Sequence, residues 1–514
     1  MTKQISRRAI VGLFASGVAA ATVGWPRRHA SAADAKDSVT IAWPSDIVTW
    51  DPNQRFTPDA QSIFKAVYDQ PLDQNPDLSL RPNVIKSWTV SADGLRIDVE
   101  LRNDIVWHNG DKLTAEDFRY TFFERVRKYP DLKLDIGNSW KEISNIEVQS
   151  ATNAVVTLSA PKPTAPQWFS FLGSYVVPMK YMEQVGVEGF RQKPVGSGPY
   201  RLVEYQLNSR IVLERFEQYW GPKPKIKRVI YEIIKDPSAR VAAIESGKAD
   251  LVINVPVREA TRLNKVAGLA SDLDPITRVI LFQCRNDLGF ADENVRLAAH
   301  HAIDKQALSK AFYEGAAVPL SMLSVPGTPA YDASFKFPYD PAKATALLAK
   351  SGHSPQNPAK IKMAATNGHF PSDFDIARAI VAMWKKVGIE AELEAIEYPK
   401  YFELNRGNKL PEATLYSWDN ATGDPEIFAG YLLHPKRPFS AWKGMDVGEK
   451  LIEIATIVDY DKRVQAYKEV EKFAIARGAT IPLLQSVTTV ARKASLGYRK
   501  YGNGWILPQT MDWA

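Results

Sequence analysis

VIYEIIKDPSARVAAIESGKADLVINV, residues 229–255, predicts a strand, a helix and a second strand in immediate succession. Residues 229–234 and 250–255 are short apolar runs, and the segment from Ser238 to Ser246 between them has helical character and ends at Gly247. A helical crossover joins strands that run in the same direction, so part of the sheet is predicted to be parallel. Alternation of strands and helices continues along the chain, without a short-period repeat, and indicates an α/β fold.

Upstream of this unit, the chain predicts a hairpin and then a domain crossover. Residues 88–90 and 96–101 alternate in hydropathy across the turn at 92–94, which is typical of two antiparallel strands. Phe118 and Phe122 have the i, i+4 spacing of a helix. The turn-forming segment PVGSGPY at 194–200 is the densest cluster of glycine and proline in the chain, and we place a domain crossover there.

Downstream, residues 415–428 read LYSWDNATGDPEIF and predict the end of a buried strand, a polar loop and a helix start with Asp424 as N-cap. The strand delivers the rings of Tyr416 and Trp418 beside the carboxylate of Asp419. That combination suits a cationic or amphipathic small molecule. The alternative is that both rings belong to the core and that Asp419 is a turn residue.

The N-terminus predicts a cleaved export signal. Ser6-Arg7-Arg8 precedes a mildly apolar run at 9–24, and Ala30-Ser31-Ala32 provides small residues for cleavage after residue 32. The paired arginines favour the twin-arginine route over the Sec route. The apolar run is shorter than the ~18 residues of a spanning helix. No cysteine follows the cleavage site directly, so the sequence predicts a soluble periplasmic protein without a lipid anchor.

Composition argues against several partners. Residues 1–32 contain five Lys and Arg and no acid, so their removal lowers the formal net charge from +7 to +2. A charge this small gives no case for nucleic acid or an anionic membrane surface. Cys284 is the only cysteine, so stability depends on the size of the core rather than on disulfides.

Catalytic motifs are scarce. There is no G-x-S-x-G, and G-S-G at 196–198 has neither the third glycine nor the following helix of a nucleotide motif. Six histidines follow residue 32, and the neighbours His300 and His301 point about 100° apart on a helix, so they do not chelate together. The sequence therefore predicts a binding protein that is not an enzyme and has no catalytic residue, cofactor or metal ligand. An exported hydrolase with a carboxylate pair is the alternative from another class.

Five blocks in order resemble the family-five extracellular solute-binding proteins of ABC importers, a group that includes dipeptide-, oligopeptide- and nickel-binding proteins. The blocks are VTWDP at 48–52, WHNGDKLTAEDF at 107–118, PVGSGPY at 194–200, YWG at 219–221, and VRLA at 295–298 with AIDK at 302–305. Together they extend over most of the chain that follows residue 32.

The resemblance implies a two-lobed periplasmic-binding-protein fold of the cluster C type, with a hinge. It implies a first lobe at 33–75, 194–278 and 482–514, an inserted subdomain at 76–193, and a second lobe at 279–481. It also implies a monomer that closes over its solute and delivers it to the permease and ATPase subunits in the inner membrane.

The resemblance also implies cleft residues. Tyr398 falls near a pocket tryptophan and Arg406 near a carboxylate-binding arginine of oligopeptide-binding relatives, and Phe282 and Gln283 lie at the lobe crossing. The peptide binders have an aspartate three residues after the tryptophan, where this chain has Ala421. A peptide or peptide-like solute is the predicted ligand, and an opine, an oligosaccharide or a metal chelate is the alternative.

Overall fold

The computed structural model describes residues 37–54, 60–132, 134, 136–137, 140–437 and 439–514, with the backbone alone at 398, 399 and 402. The predicted export signal lies outside these residues. Within them, no helix combines the length and the apolar character needed to cross a membrane.

Strands are numbered in chain order: β1 Ser38–Trp43, β2 Leu72–Gln74, β3 Leu80–Pro82, β4 Ile85–Val90, β5 Arg96–Leu101, β6 Ile143–Val148, β7 Asn153–Leu158, β8 Tyr200–Gln206, β9 Arg210–Arg215, β10 Arg228–Ile233, β11 Leu251–Ile253, β12 Leu269–Cys284, β13 Ala359–Thr366, β14 Ile389–Ile396, β15 Ala413–Asp419, β16 Thr480–Lys493, β17 Leu496–Gly497 and β18 Asp512–Trp513.

The α-helices are α1 Gln61–Val67, α2 Ala115–Arg119, α3 Arg125–Lys128, α4 Ala165–Trp168, α5 Met179–Gln192, α6 Pro237–Glu245, α7 Val257–Leu263, α8 Glu293–His301, α9 Lys305–Tyr313, α10 Pro341–Lys350, α11 Asp373–Val387, α12 Tyr398–Arg406, α13 Ala429–Leu432, α14 Met445–Ile454 and α15 Tyr460–Ala476. A π-helical turn, Tyr120–Glu124, joins α2 to α3, and 3₁₀ turns occupy Pro130–Leu132, Gly289–Ala291, Pro425–Ile427 and Pro508–Thr510.

A ten-stranded mixed sheet runs through the molecule in the order β14-β13-β15-β12-β16-β11-β1-β10-β9-β8. β1 lies between β10 and β11 and is parallel to both. Since α6 joins β10 to β11, the predicted parallel crossover at 229–255 is confirmed. The predicted hairpin is also confirmed, because β4 and β5 pair antiparallel in a separate sheet of order β4-β5-β7-β6.

Two long strands connect the halves of the large sheet. At one end of their ladder, Leu269–Pro275 of β12 pairs with Val487–Lys493 of β16; at the other, Val279–Gln283 pairs with Thr480–Gln485. The register shifts between Pro275 and Val279. We call β1–β11 with the helices among them, together with residues 494–514, the first lobe, and residues 285–479, which include β13–β15, the second lobe. The shift falls beside the predicted boundary at 278/279, while the domain ranges themselves stay predictions.

The helix predicted around Phe118 and Phe122 is present but is not regular. Both rings are buried with centroids 5.0 Å apart, yet the π-helical turn widens the backbone between α2 and α3. Arg125, directly after this turn, is fully buried and its guanidinium pairs with Asp51 and Asn53. Asp51 and Asn53, the buried partners of Arg125, are far away from it in sequence. The i, i+4 spacing of Phe118 and Phe122 therefore did not predict the π-helical turn.

Candidate functional site

Strand β15 carries an aromatic stack on the second lobe. The ring of Tyr416 lies between that of Tyr401, 3.8 Å away at an interplanar angle of 9°, and that of His369, 5.0 Å away at 10°. Nε2 of His369 is 3.1 Å from Oγ of Ser417, and burial lowers the pKa of His369 to about 3. The imidazole is therefore neutral at physiological pH, and these packed rings form a rigid platform.

Trp418 follows two residues later on the same strand face and is partly buried. Its Nε1 donates to the carbonyl oxygen of Ile427 at 2.7 Å, and its ring lies 5.4 Å from that of Phe439 and 6.5 Å from that of Tyr431. The hydrogen bond connects the end of β15 to the 3₁₀ turn at Pro425–Ile427. A displacement of the Trp418 ring would therefore also displace that turn.

Asp419, the last residue of β15, stands directly opposite Arg278 of β12 in the antiparallel ladder. The closest approach of the two side chains is 3.9 Å, between Nη2 and Oδ2. The Asp419 side chain is 9% exposed and that of Arg278 is 18% exposed. One acid and one guanidinium thus face each other where β12 passes from one lobe to the other.

The side chain of Glu426 also connects the two lobes. Its Oε2 accepts from Oγ1 of Thr164 at 2.6 Å and from Nε1 of Trp168 at 3.3 Å, both of the first lobe. Its Oε1 lies 3.4 Å from Nη2 of Arg437, a residue of its own lobe. Glu426 and Thr164 are both buried. The carboxylate of Glu426 therefore forms charge-assisted hydrogen bonds across the lobe interface.

Aromatic rings and cations surround this carboxylate. The rings of Trp168 and Tyr431 are 5.3 Å apart, and the guanidinium of Arg437 lies 4.7 Å from the centroid of Tyr431. Lys162 places its Nζ 5.0 Å from the Trp168 ring and 3.2 Å from Oε2 of Glu142. Burial lowers the pKa of Lys162. The interface between the lobes is consequently aromatic and carries both signs of charge.

The loop after β15 also contacts the first lobe. Nε2 of Gln74 donates to the carbonyl oxygen of Ala421 at 3.0 Å, and the Ala421 side chain packs near Leu172 and Trp505. Gly423 has φ +76°, and a Cβ at this position would lie 2.7 Å from the carbonyl oxygen of Leu78. Only glycine fits this close approach without a shift of the backbone. The predicted polar loop thus forms part of the lobe interface.

Asp424 is the predicted N-cap. Its Oδ1 accepts from the backbone N–H of Glu426 at 2.9 Å, while its Oδ2 accepts from Nη2 of Arg463 at 3.0 Å. The helix it begins is a single 3₁₀ turn, followed by the short α13. Asp424 thereby fixes the turn that carries Glu426.

The other predicted site residues are spread over the second lobe. Phe282 is fully buried, with its ring 5.2 Å from that of Trp384, so it contributes to the core of that lobe. Gln283 is buried behind the aromatic stack, where its Oε1 accepts from the Tyr401 hydroxyl and its Nε2 donates to the carbonyl oxygen of Phe439. Arg406 is exposed in the last turn of α12, and Tyr398 begins that helix. A contact of any of these residues with solute stays a prediction.

Sequence reasoning missed Arg278, His369, Glu426 and the first-lobe residues that bond Glu426. Arg278 directly precedes the apolar run of β12, and a charge at that place was a signal that could have been used. Glu426 belongs to the Asp-Pro-Glu segment that we interpreted only as a helix start. Among the residues that the structure describes, no group of three or more His, Cys, Asp or Glu side chains is arranged to hold a metal ion.

Comparison with known proteins gives a family match over most of the chain. Residues 79–440 match the model of the bacterial extracellular solute-binding proteins, family 5 Middle. The matched segment includes β12, β15, the 3₁₀ turn of Glu426 and the four-stranded sheet.

Individual relatives cover nearly the whole chain. The nickel-binding periplasmic protein of Escherichia coli strain K12 is 26% identical over 504 residues, which are 91% of this chain and 93% of the relative. The glutathione-binding protein GsiB of Escherichia coli O6:K15:H31 is 26% identical over 513 residues, 97% of this chain and 96% of the relative. In structure, the periplasmic binding protein DppA of Helicobacter pylori in complex with the peptide STSA superposes with a TM-score of 0.81 at 22% identity, covering 93% of this chain and 98% of DppA.

Proposed function

Because this chain belongs to the family 5 bacterial extracellular solute-binding proteins, the binding components of ABC importers, we propose that it captures a peptide or peptide-like solute between its two lobes. The hydrolase alternative is not supported, since the relatives and structural neighbours are binding proteins and not enzymes. The two-lobed fold expected from the resemblance is confirmed by the superposition on DppA.

The observation that carries the proposal is the position of Trp418 and Asp419 at the end of β15. These residues lie between the aromatic stack of the second lobe and the loop that touches the first lobe at Gln74. A solute bound there would contact both lobes. Such a solute stabilises the closed form by the difference between its affinities for the closed and open forms.

A coupling between solute and closure follows from the bonds around Trp418. Its indole N–H holds the carbonyl of Ile427, and the preceding residue, Glu426, bonds Thr164 and Trp168 of the first lobe. A solute stacked on Trp418 would hold this turn in the position in which Glu426 reaches the other lobe. We therefore assign Glu426 the role of an interlobe positioning residue.

Export and delivery complete the proposal. The arginine pair at 7–8, the apolar run and the small residues before position 33 support twin-arginine export and cleavage, which would leave a soluble protein in the periplasm. The closed form, as a monomer, would then be recognised by the permease and its ATPase subunits in the inner membrane.

The direct test is identification of the solute. The protein is expressed with its signal, purified from the periplasm without dialysis, and examined by native mass spectrometry. Thermal-shift measurements with dipeptides, reduced glutathione, opines, oligosaccharides and nickel–histidine follow after the bound solute is removed under denaturing conditions and the protein is refolded. A bound peptide, or a rise in Tm with peptides, supports the proposal. A rise in Tm with an opine, a sugar or a chelate alone would assign the site to that class instead.

A further inference from the structure

Residues 276–278 of β12 form a bulge in the ladder that joins the two lobes. Pro275 of β12 pairs with Val487 of β16, and Val279 pairs with Gln485, so three residues of β12 stand opposite one residue of β16. The chain passes from the first lobe to the second along β12 and returns along β16. A movement of one lobe against the other therefore bends this ladder, and a bulge is where a strand bends most readily.

The backbone of the bulge bonds to both lobes. The N–H of Thr277 donates to the carbonyl oxygen of Gly502 in the first lobe at 2.8 Å, and its carbonyl oxygen accepts from the N–H of Asn420 in the second lobe at 2.8 Å. Gly502 donates its own N–H to the carbonyl oxygen of Pro76, also in the first lobe, at 2.8 Å. Asn420 directly follows Asp419. Thr277 thus joins the lobes beside the proposed solute site.

The side chain of Gln485 holds the bulge from the side of β16. Its Nε2 donates to the carbonyl oxygen of Ile276 at 3.0 Å and to that of Pro326, in the second lobe, at 3.2 Å. Its backbone N–H donates to the carbonyl oxygen of Val318, in the same segment of the second lobe, at 2.7 Å. Gln485 is 4% exposed, and its Oε1 has no partner among the described residues. The hydrogen bonds of this side chain consequently fix the bulge to the second lobe.

We propose that Gln485 is a hinge-positioning residue, which holds the bulge where Thr277 bonds both lobes in the closed form. This inference rests on the proposed function, because it concerns the closure that would capture the solute. When the lobes separate, the bulge cannot follow both Gly502 and Asn420, so the bonds around it differ between the closed and open forms. A bond made only in the closed form raises solute affinity even when the residue that makes it does not touch the solute.

Gln485→Met tests this role, because it keeps the length of the side chain and removes both donors. The distance between the lobes is measured with spin labels on Lys180→Cys and Lys385→Cys, which are exposed on the first and the second lobe. Affinity is measured by calorimetry with reduced glutathione and with the dipeptide Met-Leu. We expect a longer lobe distance and a rise in Kd of roughly 5- to 30-fold, since one or both hydrogen bonds of the closed form are lost.

Thr489→Val is the matched control. Thr489 is buried on β16, and its Oγ1 donates to the carbonyl oxygen of Val255 at 2.7 Å, so this change also removes a buried hydrogen bond from the same strand, but away from the bulge. Both variants should lower the urea midpoint, whereas Gln485→Met alone should change the lobe distance and Kd. Gln485→Glu adds a pH profile, because a carboxylic acid donates one hydrogen bond and a carboxylate none. Its Kd should approach the wild-type value as the pH is lowered.

The outcomes separate a hinge role from a purely structural one. If Gln485→Met lowers the urea midpoint but keeps the wild-type lobe distance and Kd, the inference is overturned. If Gln485→Met does not fold, a ratio of the Gln485→Glu Kd to the wild-type Kd that is independent of pH overturns it in the same way. If the wild type binds neither probe, the peptide-class function fails, and the lobe distances still decide the role of Gln485, since an unchanged distribution overturns it.

Discussion

Thr164→Val tests the role of Glu426 in lobe closure. The substitution replaces a hydroxyl by a methyl group of similar size and removes the 2.6 Å hydrogen bond to Glu426 Oε2. A hydrogen bond to an ionised acceptor contributes about 1.5–3 kcal/mol. Because Trp168 Nε1 remains 3.3 Å from the same oxygen, the lower end of the range applies, and about 1.5 kcal/mol corresponds to a change of about tenfold in an equilibrium constant.

If this bond exists only in the closed form, its loss lowers the equilibrium constant for closure about tenfold. When only a small fraction of the protein is closed, that fraction falls about tenfold and the apparent Kd for the solute rises about tenfold. The closed fraction is measured as the distance between spin labels on Lys180→Cys of the first lobe and Lys385→Cys of the second, both at exposed positions. Cys284 does not interfere, since it is buried and burial raises the pKa of its thiol to about 12. Distances are recorded without and with the solute that co-purifies.

Thr157→Val provides the control, because it makes the same chemical change at an exposed position on β7 of the four-stranded sheet. Trp168→Phe removes the second donor to Glu426 Oε2 but keeps an aromatic ring at this position, and combining it with Thr164→Val should lower the closed fraction further than either change alone. The coupling model would be refuted if Thr164→Val left both the distance distribution and the apparent Kd at wild-type values.

Two further predictions concern stability and export. Glu471 is buried with its oxygens bonded to the backbone N–H and the hydroxyl of Ser324, and burial raises its pKa to about 7. Between about pH 4.5 and 7 the folded state keeps a proton on Glu471 that the unfolded state releases, so the contribution of Glu471 to the free energy of unfolding should fall by about 3 kcal/mol as the pH rises. Glu471→Gln should remove this contribution and make the pH dependence in urea titrations less steep. Replacing both arginines at 7–8 by lysine should leave the uncleaved precursor in the cytoplasm, as measured by immunoblot of cell fractions. The variant with the same replacement at 27–28 is the control and should be exported normally. Equal export of the two variants would contradict the twin-arginine assignment.

The elements that could be predicted from the sequence are those whose signal is local. The crossover at 229–255 carries apolar strands and a helix stop within 27 consecutive residues, and the structure has β10, α6 and β11 there. The end of β15 and the cap at Asp424 were likewise readable from neighbouring residues. Each of these signals depends on contacts that are close in sequence.

The hinge strands and the lobe contacts could not be predicted in this way. The first half of β12 contains Asp272, Asp274 and Pro275, which give little strand signal, and its order comes from pairing with β16 more than two hundred residues later. Glu426 bonds to Thr164 and Trp168 across 262 and 258 residues of sequence. A single sequence contains no pattern that joins positions so far apart.

The continuous ladder of β12 and β16 has a consequence for how the molecule unfolds. Two lobes joined by flexible linkers would melt independently, each with its own calorimetric peak. Here the same two strands supply backbone hydrogen bonds to both halves of one ten-stranded sheet. Melting of either half exposes the strand edge on which the other half depends, so the two lobes should unfold in a single cooperative transition.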